Sequence, residues 1–165
     1  MECILKRLST KDGIKIYNML QEIPEVENGF MNGAKGLTYE EFKDWLVIQD
    51  NISKGVGLED WMTDQIIYWF YIDSVPVGFG KVRHRPTKQQ KKVGGHVGYA
   101  IKPSERNKGY GKLLLDLLID KARDRAIDKV QFTILSKNKA SIAVARRCGG
   151  DIDYITNSRH YFHFD

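Results

Sequence analysis

The sequence predicts an α+β fold in three layers, with helices on both faces of a mixed, mostly antiparallel central sheet. The first observation is that strand-like and helical patterns are interspersed along the chain rather than grouped by type. The second is the two-residue connection Asp73-Ser74 between two strand-like runs, a length typical of an antiparallel hairpin. The third is size, because 165 residues with 42% hydrophobic content suit a single domain spanning residues 1–165.

The beginning of the chain combines a strand, a helix and a loop. The run from Cys3 to Leu8 predicts the first strand. The segment from Lys11 to Ile23 predicts a helix, because its apolar residues recur at helical spacing. The glycine-containing stretch 27–36 is expected to form a loop.

A second helix and a hairpin follow. Thr38 is suited to cap a helix, Glu41 completes a capping box, and the helix is expected to run to about Ile52. Two strand-like runs come next, over residues 65–72 and 75–85, with the tight turn between them.

The second half alternates strands and helices. A strand is expected over His96–Ile101, followed by a helix that begins near Gly109 and carries apolar residues on one side. The β-branched, apolar run 130–135 predicts another strand, and a short helix then ends at Gly149-Gly150. The segment 151–165 predicts two further extended stretches.

The turn between strand 96–101 and the next helix carries the motif Arg106-x-x-Gly109-x-Gly111. The first N–H groups of a helix lack intrahelical partners, and the helix dipole adds partial positive charge there. The two glycines remove β-carbons that would keep an anion off the backbone, while Arg106 and Lys108 add positive charge. This segment therefore predicts a pyrophosphate site, with a simple tight turn as the alternative.

Two familiar phosphate-binding loops are excluded by spacing. A P-loop needs Gly-x-x-x-x-Gly-Lys-Ser/Thr, and a dinucleotide-binding loop needs Gly-x-Gly-x-x-Gly early in a βαβ unit. Neither pattern occurs in the chain.

The motif and its flanking strand and helix resemble the diphosphate-binding turn of the GNAT-superfamily N-acetyltransferases. The resemblance spans nearly the whole chain, and its specific motifs lie in segments 96–126 and 130–150. It implies an enzyme that uses acetyl-CoA as cosubstrate and acetylates a primary amine of a small molecule or peptide by direct attack. The cofactor-binding residues that it implies are Ile101, Arg106, Asn107, Lys108, Gly109, Tyr110, Gly111, Asn138 and Ser141.

Parts of the resemblance leave alternatives open. Asn138 and Ser141 are also good helix-capping residues. Many GNAT enzymes place a tyrosine seven residues after the asparagine to protonate the departing thiolate, whereas this chain has Ala145. Either another residue or water protonates the thiolate, or it leaves unprotonated, which a thiol pKa of about 8.5 allows. The stretch 94–99 resembles an uncharacterised bacterial subgroup of the family.

His96 is the candidate catalytic base for the acceptor amine. Its ordinary pKa of about 6.5 suits proton transfer near neutral pH, and the family often places a carboxylate or histidine close to this position. The competing interpretation is a strand histidine whose ring is hydrogen-bonded by a neighbouring strand.

Two rival functions stay open beside acetyl transfer. The first is a non-catalytic CoA-binding sensor, to which the missing tyrosine at Ala145 gives some support. The second is nucleic-acid binding, suggested by the net charge of +5, the pI near 9.1 and the basic stretch 81–92. No aromatic residues are interleaved in that stretch, which argues against nucleic acid as a partner.

The acceptor is expected to contact residues 24–60, which carry no recognisable motif. Five aromatic residues in or near this region could line a pocket or belong to the core: Phe30, Tyr39, Phe42, Trp45 and Trp61. Glu25, Glu27 and Glu59 could receive a cationic amine or lie in solvent.

Composition and hydropathy indicate the expected location of the protein and the state of its cysteines. No apolar run of about 18 residues predicts a membrane span, and no basic and then apolar N-terminal pattern predicts a secretory signal, so a cytoplasmic location is expected. Cys3 and Cys148 lack metal-ligand spacing and are expected to be reduced, packed side chains, with no metal cofactor. A homodimer remains open.

Overall fold

The computed structural model describes residues 1–165 and contains nine strands and five helices. The strands are β1 Cys3–Arg7, β2 Val26–Glu27, β3 Phe30–Met31, β4 Gln65–Ile72, β5 Val75–Arg83, β6 Val97–Ile101, β7 Val130–Leu135, β8 Asp151–Ile155 and β9 Arg159–Phe164. The helices are α1 Ile14–Glu22, α2 Tyr39–Ser53, α3 Lys88–Val93, α4 Tyr110–Asp124 and α5 Lys139–Arg147. None of these helices has the length and apolar character needed to cross a membrane.

The strands form two main sheets and one small hairpin. The larger sheet has the order β1-β4-β5-β6, the second has the order β7-β9-β8, and β2 pairs with β3. All the paired strands run antiparallel. The predicted α+β class is confirmed, but the expected central sheet is divided between β6 and β7.

The two sheets are joined at one place only. Gly95 forms an isolated bridge with Phe132, flanked by hydrogen bonds from His96 N to Gln131 O at 2.8 Å and from Thr133 N to Gly94 O at 3.0 Å. Beyond this junction β6 and β7 share no ladder, so the facing edges of both sheets are unpaired.

Helices cover both faces of the larger sheet. Side chains alternate along β4, so that Tyr68 and Phe70 belong to a core cluster with α4, while Ile67 and Trp69 belong to a second cluster with α1 and α2. Burial on both faces explains why β4 is an unbroken run of aliphatic and aromatic residues from Ile66 to Ile72. The three-layer arrangement predicted from the sequence is therefore present around this sheet.

Most element predictions agree with the structure, and the differences have local causes. The capping box of Thr38 and Glu41 is present, with hydrogen bonds of 3.2 and 2.9 Å. The expected loop after β5 instead contains α3, because Thr87 and Gln90 form a second capping box. The expected loop 27–36 contains the β2–β3 hairpin.

Candidate functional site

A cavity of about 750 Å³ opens where the two sheets separate. Its walls come from β6 and β7, the turn before α4, the first turns of α5, the β2–β3 hairpin, part of β5 and α3. The sheet junction closes it near Gly94. The split between β6 and β7 thus produces this cavity.

One edge of β6 offers unpaired backbone groups. Hydrogen bonds from Arg83 N to His96 O and from Lys102 N to Val77 O show which residues face β5. Because antiparallel residues alternate between the two edges of a strand, the backbone groups of Tyr99 and Ile101 face the other edge. The Ile101 carbonyl there accepts from Arg106 Nε at 2.9 Å, so the unengaged groups are those of Tyr99 and the N–H of Ile101. Both residues line the cavity. An extended ligand could therefore hydrogen-bond with this edge as a further strand would.

The turn before α4 presents a series of N–H groups without acceptors. None of the backbone N–H groups of residues 107–112 donates a hydrogen bond within the protein. Asn107 and Gly109 have positive φ angles of 63° and 81°, which interrupts any regular bonding pattern before the helix begins. Successive N–H groups in such a turn form an anion-binding concavity at the helix N-terminus.

The basic side chains of this turn are already engaged. Arg106 makes a two-pronged ion pair with Glu27, at 2.6 and 3.1 Å, and its Nε donates to the carbonyl of Ile101 at 2.9 Å. Lys108 pairs with Glu105 at 2.8 Å and does not line the cavity. Arg106 therefore holds the turn against β6 and β2, and the N–H groups remain the unengaged donors of the turn.

The start of α5 forms the facing wall. Asn138 caps the helix by accepting a hydrogen bond from Ser141 N at 3.3 Å, and both residues also line the cavity. The Ser141 hydroxyl lies 3.3 Å from the Tyr99 hydroxyl. Capping and cavity-lining are compatible at both positions, because the helix begins at the cavity wall.

Tyr99 places a phenol hydroxyl inside the cavity. Burial raises the pKa of Tyr99 above its usual value, so its hydroxyl stays protonated at neutral pH. Ala145, by contrast, is fully buried in the core and does not reach the cavity. Desolvation raises the pKa of Cys148 to about 12, and its thiol is directed at the Lys112 carbonyl, so Cys148 is not an activated nucleophile.

Of the ten predicted site residues, His96 and Lys108 do not line the cavity. His96 is buried at the sheet junction, where its Nδ1 accepts a hydrogen bond from Gln131 N at 2.8 Å. Desolvation, with Lys91 and His84 nearby, lowers the pKa of His96 to about 4. This geometry favours the second interpretation of His96, a strand histidine bonded by its neighbour, over the catalytic base.

Two basic residues in the cavity were not predicted as site residues. Lys81 and Arg83 project from β5 at alternate positions and both line the cavity. Desolvation and the adjacent Arg83 lower the pKa of Lys81 to about 7, and desolvation lowers the pKa of Arg83 as well. Their alternation was the available signal, but only the division of the sheet shows which surface they face.

The candidate acceptor residues separate into two groups. Phe30 and Trp61 line the cavity, whereas Tyr39, Phe42 and Trp45 pack with the core cluster under α1 and α2. Of the carboxylates, Glu27 is paired with Arg106. Glu59 accepts from Trp61 Nε1 at 3.2 Å, and neither Glu25 nor Glu59 lines the cavity. No unpaired carboxylate is therefore available in the cavity to receive a cationic amine.

A cluster of potential metal ligands lies elsewhere. Asp151, His163 and Asp165 offer ligand atoms within 4.8 Å of one another, and none of them lines the cavity. The two carboxylates are exposed.

One family model matches the chain, whereas individual curated proteins do not. The sequence model of the acetyltransferase (GNAT) family matches residues 34–150. No curated protein matches the chain significantly by sequence.

Solved structures with the same fold include several acetyltransferases. A GNAT-family acetyltransferase from Streptococcus pneumoniae is 19% identical, with a TM-score of 0.64 and 99% of each chain covered. The N-acetyltransferase PseH from Campylobacter jejuni, in complex with acetyl coenzyme A, is 13% identical, with a TM-score of 0.65 and 99% of each chain covered. The acetyltransferase yncA from Salmonella typhimurium, described as putative and solved with acetyl-CoA, is 14% identical, with a TM-score of 0.62, covering 100% of this chain and 94% of the other.

Proposed function

The chain belongs to the acetyltransferase (GNAT) family, and from this premise we propose that it transfers the acetyl group of acetyl-CoA to a primary amine by direct attack on the thioester. The observation that carries the proposal is the cavity that joins the N–H groups of residues 107–112 to the open edge of β6. Acetyl-CoA needs both features, because it combines a diphosphate with an extended, amide-containing arm.

The diphosphate would lie against the turn before α4. Six N–H groups and the helix dipole favour an anion there. Gly109 supports this placement, because it adopts a positive φ and has no side chain to cover the N–H groups. The family structures solved with acetyl-CoA support the choice of this cofactor.

The pantetheine arm would run along the open edge of β6. Its amides would bond with the backbone groups of Tyr99 and with the N–H of Ile101, which would bring the thioester to the middle of the cavity. A backbone N–H at this edge would stabilise the oxyanion that forms when the amine attacks. Most of the acceleration would come from this stabilisation and from holding the two reactants together.

The intermediate then collapses with release of the CoA thiolate. Tyr99 is the group best placed to give this thiolate a proton, because its hydroxyl lies in the cavity and is protonated at neutral pH. The two carboxylates that line the cavity, Glu27 and Glu105, are both engaged in ion pairs. The attacking amine is therefore proposed to lose its proton to water.

Calorimetry with acetyl-CoA, followed by thiol release with a panel of amines, tests the proposal. We expect acetyl-CoA to bind and thiol release to depend on the amine. Tight acetyl-CoA binding without turnover on any amine would contradict acetyl transfer, and absence of binding would also contradict the placement of the cofactor.

A further inference from the structure

The side chains of Lys81 and Arg83 form a pair of basic groups in the cavity without a counter-ion. We propose that the acceptor amine also carries an anionic oxygen group, a carboxylate or a phosphate, and that Lys81 and Arg83 bind it. The inference rests on the proposed acetyl transfer and narrows its substrate class. It replaces the expectation that glutamates select a cationic amine.

The position of the pair suits the acceptor. Lys81 lies opposite Gly98 in the β5–β6 ladder, and both residues line the cavity next to the part of β6 assigned to the thioester. Arg83 lies two residues further along, towards the sheet junction, where its Nη1 is 3.4 Å from the Gly95 carbonyl oxygen. The N–H groups of residues 107–112 are reached from the opposite end of β6, after Ile101. The two anion sites are therefore separated along the strand.

Neither cation is neutralised by the protein. Neither Lys81 nor Arg83 takes part in an ion pair. Lys81 donates to a neutral group, the Met31 carbonyl, at 2.6 Å, and the Arg83 Nε is buried without any hydrogen-bond partner. Cations removed from water are costly unless they are paired, and buried donors are rarely left without acceptors. A bound oxyanion would supply the counter-charge that both side chains lack.

The neighbouring walls define the rest of the pocket. Phe30 lies with its ring centroid 4.7 Å from the Lys81 ammonium, and Trp61 and Met62 add apolar surface. Gln90 is buried beside them, and its side-chain amide makes no donor bond within the protein because only its oxygen is used in the capping box. A small amine with an anionic group and an apolar part fits this combination.

Matched acceptors test the inference directly. Thiol release from acetyl-CoA is measured with L-phenylalanine against 2-phenylethylamine, with L-serine against ethanolamine, and with phosphoethanolamine against ethanolamine. Each pair differs in the anionic group, and because this group also shifts the amine pKa, kcat/KM is compared per concentration of free amine. We expect the anionic member of at least one pair to react about 10-fold faster or more, and the identity of that pair separates carboxylate from phosphate.

Variants connect that preference to the two residues. Arg83→Gln and Lys81→Met should each raise the KM for the anionic acceptor by about 10-fold. Each should also abolish the preference for this acceptor over the matched amine without the anionic group. The affinity for acetyl-CoA should be unchanged. Arg83→Lys should restore part of the effect. Arg85→Gln is the control, because Arg85 is exposed outside the cavity and loses the same charge.

A binding measurement keeps the test independent of turnover. The protein is first saturated with CoA, which occupies the turn at 107–112, and is then titrated with inorganic phosphate and with N-acetyl-L-phenylalanine. Binding that weakens in Arg83→Gln but not in Arg85→Gln supports the anion site even if no amine on the panel reacts. The absence of such binding overturns the inference.

Other results separate the inference from the proposed function. Equal or better turnover of the cationic amines would overturn the anionic acceptor and leave acetyl transfer intact. A loss of acetyl-CoA affinity in Arg83→Gln, without a change in acceptor KM, would assign the pair to the cofactor and also overturn the inference.

Discussion

His96 and Gln131 exchange two hydrogen bonds across the junction of the two sheets. The backbone N–H of His96 donates to the Gln131 carbonyl, and the backbone N–H of Gln131 donates to Nδ1 of the His96 ring, both at 2.8 Å. The imidazole thus replaces the backbone partner that Gln131 would have in a continuous sheet. Beyond this contact β6 and β7 are unpaired, and the cavity lies between them.

Removing the ring acceptor should destabilise the junction. In His96→Leu the N–H of Gln131 loses its partner, and the free energy of unfolding should fall by about 1–3 kcal/mol. His96→Asn offers an amide oxygen near the position of Nδ1 and should retain most of the stability. Chemical denaturation measures both variants. A large loss of kcat with unchanged stability in His96→Asn would instead restore the catalytic-base hypothesis.

The same residue should make stability depend on pH. The unfolded chain binds a proton on His96 near its ordinary pKa of about 6.5, whereas the folded protein does so only near 4. Between these values protonation favours the unfolded state, so the contribution of His96 is present above pH 6.5 and is lost as the pH falls towards 4. As the pH falls over this interval, we expect the free energy of unfolding to decrease more for the wild type than for His96→Asn. A difference that is constant from pH 7 to 4 would contradict the lowered pKa.

A glutamate at Gly109 should prevent cofactor binding. Its side chain would place a carboxylate and a β-carbon beside the N–H groups assigned to the diphosphate. Gly36→Glu is a close control, because Gly36 has a φ of 84° against 81° for Gly109 and both have open space where a β-carbon would stand. Calorimetry should show acetyl-CoA binding in the Gly36 variant but not in the Gly109 variant. Equal affinities would mean that residues 107–112 form only a turn.

Tyr99→Phe tests the proposed proton donor. We expect kcat to fall by roughly 10-fold or more, while acetyl-CoA affinity changes little, because only the hydroxyl is removed. Tyr39→Phe is the matched control, since Tyr39 packs with the other core cluster. Unchanged turnover in Tyr99→Phe would show that the thiolate leaves without help from this residue.

The sequence predicted the helices, strands and turns more fully than the contacts within the candidate site. Local signals, such as the capping box at Thr38 and the motif from Arg106 to Gly111, depend on neighbouring residues and were sufficient to locate α2 and the turn before α4. The partners of Arg106 and His96 could not be predicted in this way. Glu27 lies 79 residues from Arg106, and Gln131 lies 35 residues from His96, so both contacts arise only from tertiary packing.

The surroundings of Lys81 and Arg83 likewise could not be predicted from the local sequence. Lys81 and Arg83 alternate along β5 and therefore share a face, but a solvated basic face and a cavity wall have the same sequence pattern. The division of the sheet beyond the Gly95–Phe132 bridge determines which of the two occurs, and the pattern of β5 does not encode that division.

Binding of an anionic ligand should be coupled to proton uptake by Lys81. With a pKa of about 7, Lys81 is mostly neutral at pH 8 in the unliganded protein. A bound carboxylate favours the charged ammonium and raises this pKa, so a proton must be taken up when the ligand binds. At pH 6 Lys81 is already largely charged and little uptake is expected.

Calorimetric titration of CoA-saturated protein with N-acetyl-L-phenylalanine measures this coupling, because the ligand has no amine that titrates in the range. The observed enthalpy at pH 8 should depend on the ionisation enthalpy of the buffer. The slope of this dependence should correspond to the uptake of a substantial fraction of one proton per bound ligand. It should be small at pH 6 and absent in Lys81→Met, while Arg85→Gln should behave as the wild type. Buffer dependence that persists in Lys81→Met would assign the proton to another group. Binding without buffer dependence at pH 8 would show that Lys81 does not change its charge, and would leave Arg83 as the sole cation responding to the ligand.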